Sequence, residues 1–274
     1  MTTSSERWAD LRPRMISAAV MASVAAVEIW LGGVSFMIMV IALSGLMLWE
    51  LASITAVKTA YGPFGLSPAQ RPIMLALLGA VCLAGALFSP SGFSAALLLV
   101  PSLAFALTPR RDRRLAAMWA AGAMIAGFGL ITLRSGAGTP AIVWIVLVVV
   151  TSDVMGYFAG RILGGPKFWP AISPKKTWSG TAAGWFGAVI VGFGFWTSGY
   201  ASAGILILSP LVAFAGQMGD IAESWIKRRT GVKDSSNLIP GHGGFLDRFD
   251  AMTGAVVLVM LLSLLVTLPL PSGG

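Results

Sequence analysis

Residues 34–57 read VSFMIMVIALSGLMLWELASITAV, an apolar run interrupted by a single charged residue, Glu50. At about 1.5 Å per residue such a run, wound as a helix, extends roughly 36 Å, more than the roughly 30 Å of bilayer hydrocarbon. Working outward from it, eight further apolar stretches follow the same pattern. The nine are Met15–Leu31, Val34–Val57, Ile73–Ser89, Phe93–Leu107, Leu115–Leu133, Ala141–Phe158, Thr181–Trp196, Ala203–Ala222 and Ala251–Leu270. Only Gly32-Gly33 separates the first two, so a tight hairpin is expected there. The fourth is short enough to be re-entrant. The expected fold class is an all-α integral membrane protein of about nine transmembrane helices, organised as one polytopic domain over residues 1–274.

Composition agrees. Of the 274 residues 56% are hydrophobic and only 11% charged, whereas soluble domains carry about 25% charged residues. Too few charges are present to cover a water-facing surface, so lipid must face much of it. The lone Cys82 excludes a disulfide framework and the lone His242 excludes a multi-histidine zinc site. Residues 1–14 form a polar segment of mixed charge, and no cleavable signal peptide is expected.

The net charge of +8 is explained by placement rather than by nucleic acid. With nine spans, the N-terminus and every second loop fall on one side. That side holds Arg7, Arg12 and Arg14, then Lys58 and Arg71, then Arg110, Arg111, Arg113 and Arg114. It continues with Arg161, Lys167, Lys175 and Lys176, and ends with Lys227, Arg228, Arg229, Lys233 and Arg248. These are 18 of the 19 basic residues, and Arg134 alone falls opposite. Because Lys and Arg are retained on the cytoplasmic side, the expected topology is N-terminus cytoplasmic and C-terminus outside, in the cell membrane. The run Pro-Arg-Arg-Asp-Arg-Arg at 109–114 then reads as a topology determinant touching lipid headgroups.

Two polar stretches on the cytoplasmic side carry chemistry. The first has Asp153 near the end of an apolar helix and Arg161 beyond it, followed by Ser173-Pro-Lys-Lys-Thr-Trp178. Charged groups at membrane depth are costly and mark function by default. Ser173, Lys175, Lys176 and Thr177 supply the cations and hydroxyls that hold phosphate oxygens, without the glycine spacing of a Walker A loop.

The second stretch, 217–250, is the main catalytic segment. On a helix, Gln217, Asp220, Ser224, Lys227 and Arg228 form one stripe with Glu223 beside it, and the stripe should face a polar cavity. Lys233 and Asp234 follow, then Pro240-Gly-His-Gly-Gly-Phe-Leu-Asp-Arg-Phe-Asp250, whose glycines permit turns and close ligand approach. Asp247 and Asp250, three apart, can share a helical face. Carboxylates suit Mg²⁺, and adjacent Lys and Arg neutralise phosphate, a combination fitted to phosphoryl or nucleotidyl transfer. Solvated ion pairs and an ion or proton transport path are the other uses of such a cluster.

From Ser224 to Asp250 the chain resembles the signature of phosphatidate cytidylyltransferases (CDP-diacylglycerol synthases), at Ser224, Lys227-Arg228, Lys233-Asp234, Ser236, Pro240, His242-Gly-Gly244, Asp247-Arg248 and Asp250. The Ser173–Trp178 run and the Trp49-Glu50 pair are similar too. The resemblance implies a metal-dependent reaction of CTP with phosphatidate, giving CDP-diacylglycerol and pyrophosphate, in phospholipid biosynthesis. It implies Asp220, Asp247 and Asp250 as ligands of Mg²⁺ or another divalent metal, and an additional monovalent cation is compatible with it. Lys175, Lys176, Lys227, Arg228 and Arg248 become phosphate contacts, with Ser224 and His242 as orienting groups. It also implies a membrane homodimer with no nucleic-acid partner. The pattern departs at Ser179, where the family usually has Glu, and at Val154, Met155 and Ala183. A CTP-dependent transferase or kinase acting on an isoprenoid lipid is the alternative within the fold. A transporter is the alternative outside it, and an inactive relative is a further one.

Overall fold

The computed structural model describes residues 11–57, 67 and 69–273. Residues 1–10 and 58–66, and with them Arg7 and Lys58, lie outside the described residues, as does the side chain of Arg12. Nine helices are present among the described residues: α1 (Leu11–Leu31), α2 (Gly33–Ile54), α3 (Gln70–Phe88), α4 (Ser91–Leu107), α5 (Arg113–Gly136), α6 (Thr139–Ile162), α7 (Trp178–Thr197), α8 (Ile205–Thr230) and α9 (Leu246–Ser263). Each matches one apolar run of the sequence. Six of them, α1, α2, α3, α5, α6 and α8, are long and apolar enough to cross a membrane. Two of the other three fall short for visible reasons. α4 has 17 residues with Pro101 inside it, and α9 carries Asp247, Arg248 and Asp250 within its first five positions.

Three details differ from the sequence expectation. The polar stretch between α6 and α7 is not all loop: β1 (Lys167–Trp169) and β2 (Ser173–Thr177) pair as an antiparallel hairpin. The last helix starts five residues earlier than the apolar run and ends at Ser263. Its first turn is therefore polar, and the chain from Leu264 turns back until Ser272 N–H donates to Tyr200 O at 3.1 Å. The arginines at 110 and 111 are also built into the protein. Arg110 is buried and donates to Thr55 Oγ1 at 3.0 Å, and Arg111 donates to Thr230 O at 3.0 Å. A cation on the last carbonyls of α8 satisfies orphan acceptors and complements the negative end of the helix dipole.

The helices pack around two apolar cores. One, containing Trp144, Ile145, Val148, Val212, Val256 and Val259, joins α6, α8 and α9. The other, containing Leu48, Leu51, Leu83, Phe105, Ala120 and Met124, joins α2, α3, α4 and α5. α1 contributes no buried residue to either, its stretch from Pro13 having none, and it packs against the first core through the partly buried Ile29.

Cross-contacts show which loops share an end of the bundle. Arg111 N–H donates to Thr55 O at 2.8 Å, and Asp112 pairs with Arg229 at 2.6 Å. Ser17 Oγ donates to Pro240 O at 2.9 Å. The start of α1, the end of α2, the α4–α5 turn, the end of α8 and the 231–245 loop therefore meet at one end. Arg134 sits elsewhere, with Nε donating to Ile29 O at the other end of α1. This is the grouping that the distribution of basic residues predicts.

Candidate active site

α8 and α9 cross closely because small residues line the contact. A Cβ on Gly219 would overlap Asp250 O, and one on Gly254 would overlap Ala215 O. The crossing brings α8's polar stripe against α9's first turns. There the carboxylates of Asp220, Glu223 and Asp250 converge, each offering an oxygen within 4.8 Å of the others. Ser224 Oγ lies 3.4 Å from Asp220 Oδ1. Three oxygen donors in this range form a set that fits a divalent cation such as Mg²⁺.

Asp247 faces a different way. Its Oδ1 receives Lys227 Nζ at 2.6 Å. Its Oδ2 receives Ser235 N–H at 2.9 Å, Ser235 Oγ at 3.0 Å and Gly244 N–H at 2.8 Å. Lys227 also pairs with Glu223 at 2.7 Å, so this lysine bridges the two carboxylate groups. Glu223, seen in the sequence only as a neighbour of the stripe, is 1% exposed and belongs to the cluster.

Beside the cluster, α6, β2, α7 and α8 enclose a cavity of about 540 Å³. Asp153, Arg161, Lys175, Lys176 and Thr177 line it, together with Ser152, Tyr157 and Thr181, which the sequence did not single out. Arg161 donates to Tyr157 Oη at 2.8 Å. The Lys176 ammonium forms an ion pair with Asp220, and this contact joins the cavity to the carboxylates.

Two candidates have architectural duties. Gln217 lines the cavity but is committed on both sides of its amide. Its Oε1 accepts from Trp185 Nε1 at 3.0 Å, and its Nε2 donates to Ser152 Oγ at 3.1 Å and Thr181 O at 3.3 Å. It thereby ties α8 to α6 and α7. Thr177 caps α7, its Oγ1 accepting from Gly180 N–H at 3.2 Å. Ser179, the departure from the family pattern, donates to Gly164 O and lies 3.0 Å from Thr177 Oγ1.

The remaining sequence candidates are more peripheral. Ser173 opens β2 and does not line the cavity. His242 Nδ1 lies 2.8 Å from Ser17 Oγ of α1, and Arg248 Nε donates to His242 O at 3.1 Å. Arg228, Lys233 and Asp234 are exposed at the same end of the bundle. There too, the Arg229 guanidinium hydrogen-bonded to Asp112 holds that carboxyl below the usual carboxylate range.

The chain is similar to known proteins over most of its length. The model of the Cytidylyltransferase family matches residues 12–266. A protein named phosphatidate cytidylyltransferase from Brucella abortus biovar 1 (strain 9-941) is 36% identical over 266 residues, covering 92% of this chain and 93% of that protein. One of the same name from Helicobacter pylori (strain J99) is 43% identical over 140 residues, 49% of this chain and 52% of its own length. Another from Staphylococcus saprophyticus is 38% identical over 139 residues, 50% of this chain and 54% of its own.

Proposed function

The chain belongs to the cytidylyltransferase family, and from that premise we propose that it transfers a cytidylyl group from CTP to phosphatidate in the cell membrane. The observation that carries the site assignment is the Lys176–Asp220 ion pair, which sets a basic cavity directly beside a carboxylate cluster. A triphosphate needs both kinds of group within a few ångströms. A transport path would instead spread its polar groups across the membrane, whereas here they gather near one end of the bundle.

In this reading Arg161, Lys175 and Lys176 hold phosphate oxygens in the cavity. An oxygen of the lipid phosphate bonds to the α-phosphorus of CTP while the bond from that phosphorus to the bridging oxygen of the β-phosphate breaks. Pyrophosphate leaves with the electron pair. The phosphate monoester brings its own nucleophilic oxygen, so neither Ser224 nor His242 is required as a nucleophile. Asp220, Glu223 and Asp250 would hold the divalent cation, with Asp247 beside them through Lys227. Such an ion, when bound, neutralises charge on the triphosphate. Lys227, paired with both Glu223 and Asp247, offsets the repulsion between these two like-charged groups, and Ser224 orients Asp220.

The distribution of the basic residues supports an N-terminus and site in the cytoplasm, nine spans and a C-terminus outside. Association as a homodimer follows from the resemblance. The test uses membranes containing the protein, labelled CTP and phosphatidate, with CMP-lipid and phospho-lipid products resolved. CDP-diacylglycerol should form only with divalent metal. A phospho-lipid product, product formed only from an isoprenoid lipid, or no lipid product would overturn the proposal.

A further inference from the structure

Glu50 is the one charged residue of α2 and is fully buried among core side chains, at 0% exposure. Burying a carboxylate is costly unless donors surround it. Its donors come from sequence positions about 185 residues away. Oε1 accepts from Ser236 Oγ at 2.5 Å and Phe245 N–H at 3.0 Å. Oε2 accepts from Leu246 N–H at 2.6 Å and Ser235 Oγ at 3.1 Å.

These donors bracket the catalytic segment. Phe245 and Leu246 open α9, which has no side-chain cap of its own. Amides at a helix start lack intrahelical acceptors, and negative charge is favoured there. Glu50 therefore caps α9 from another helix. Ser235 extends the link, because its hydroxyl reaches both Glu50 Oε2 and Asp247 Oδ2. The backbone leaves room for this arrangement: a Cβ on Gly244 would overlap both the Ser235 hydroxyl and the Glu50 carboxylate.

We propose that Glu50 is a positioning residue of the transfer site, anchoring Ser235, Ser236 and the start of α9 to α2 so that Asp247 meets Lys227 and Asp250 meets Asp220. The inference rests on the functional reading above. A carboxylate is needed because the Phe245 and Leu246 amides can only donate, one to each of its oxygens. An amide at this place offers one oxygen, and its NH₂ would face a backbone N–H that can only donate.

The experiment compares wild type with Glu50→Gln and with Ser236→Ala, reading kcat, KM for CTP, the Mg²⁺ concentration at half-maximal rate, and hydrogen exchange at the Phe245 and Leu246 amides. Glu50→Gln should lower kcat by roughly tenfold to a hundredfold, the range that follows from a sub-ångström to 1 Å misplacement. It should raise the Mg²⁺ requirement, speed exchange at both amides, and leave KM for CTP within about threefold because the cavity side chains are untouched. Ser236→Ala should move kcat the same way by less, and it carries the kinetic test if Glu50→Gln does not fold. Unchanged kcat and exchange in the variants of an active enzyme would overturn the inference, as would a proportional rise in KM for CTP. If wild type is inactive but Glu50→Gln still speeds exchange at the two amides, the functional reading fails and the positioning role stands. Unchanged exchange in that case removes the positioning role as well.

Discussion

The ammonium of Lys176 on β2 pairs with the carboxylate of Asp220 on α8, and this contact joins the cavity lined by Arg161, Lys175 and Lys176 to the acidic cluster. The hairpin matters for this reason. A strand holds Lys176 at a set distance from α8, and Lys176 Nζ also donates to Gln217 O at 3.4 Å one turn before Asp220. Gln217 in turn locks α8 against α6 and α7.

Replacing Lys176 with Met should cost about a hundredfold in kcat/KM, since a phosphate contact and the Asp220 partner are lost together. Asp220→Asn should cost at least as much. The double variant should lose far less than the product of the two, because the residues act as a unit. A cycle of steady-state measurements checks this, and simple multiplicativity would separate the two halves of the site.

Asp250→Asn and Glu223→Gln should each raise the Mg²⁺ concentration for half-maximal rate by about tenfold or more, as loss of a ligand does. Asp247→Asn should act mainly on kcat by releasing Lys227 and the Ser235–Gly244 turn. Metal titrations of the three variants distinguish these roles.

Gly219→Ala should destabilise the protein by about 1–3 kcal/mol, the usual cost of forcing atoms into a packed contact. The added Cβ meets backbone at Asp250 rather than a side chain that could turn away. Thermal unfolding in detergent, compared with Gly33→Ala at the α1–α2 turn, where a Cβ meets nothing within 4 Å but φ is +57°, separates crowding at the crossing from backbone strain.

Arg111→Ala should lower stability by about 1 kcal/mol, the scale of one hydrogen bond, by exposing the Thr230 carbonyl at the end of α8. Activity per folded molecule should be near wild type, because Arg111 touches neither the cavity nor the carboxylates.

A cysteine at Asn237, on the exposed part of the 231–245 loop, should react with a membrane-impermeant reagent only from the cytoplasmic face of sealed vesicles. Cys82 is buried and adds little background. Labelling from the opposite face would invert the topology.

Much of this was readable along the chain. Apolar length marked all nine described helices, and the basic residues predicted which loops gather at one end. The 217–250 segment stood out as charge in an apolar setting. Other features were hidden for physical reasons. Spacing three apart put Asp247 and Asp250 on one helical face, yet the 231–245 loop folds back and claims Asp247, while Asp250 turns to α8. Gln217 belonged to the polar stripe expected to face a cavity; it does line one, but its amide is consumed by Trp185, Ser152 and Thr181.

The sequence by itself determined that the chain is a bundle of apolar helices long enough for a membrane, with a charged polar segment at one end. Transfer of a helix into lipid depends on the sum of its own residues, and the match from Ser224 to Asp250 is likewise contained in one stretch. Only the tertiary structure decided which acids converge, that Lys176 reaches Asp220, and that Glu50 on α2 caps α9. Those outcomes depend on hydrogen bonds and ion pairs near 3 Å between segments far apart in the chain, and such distances are set by how the helices pack.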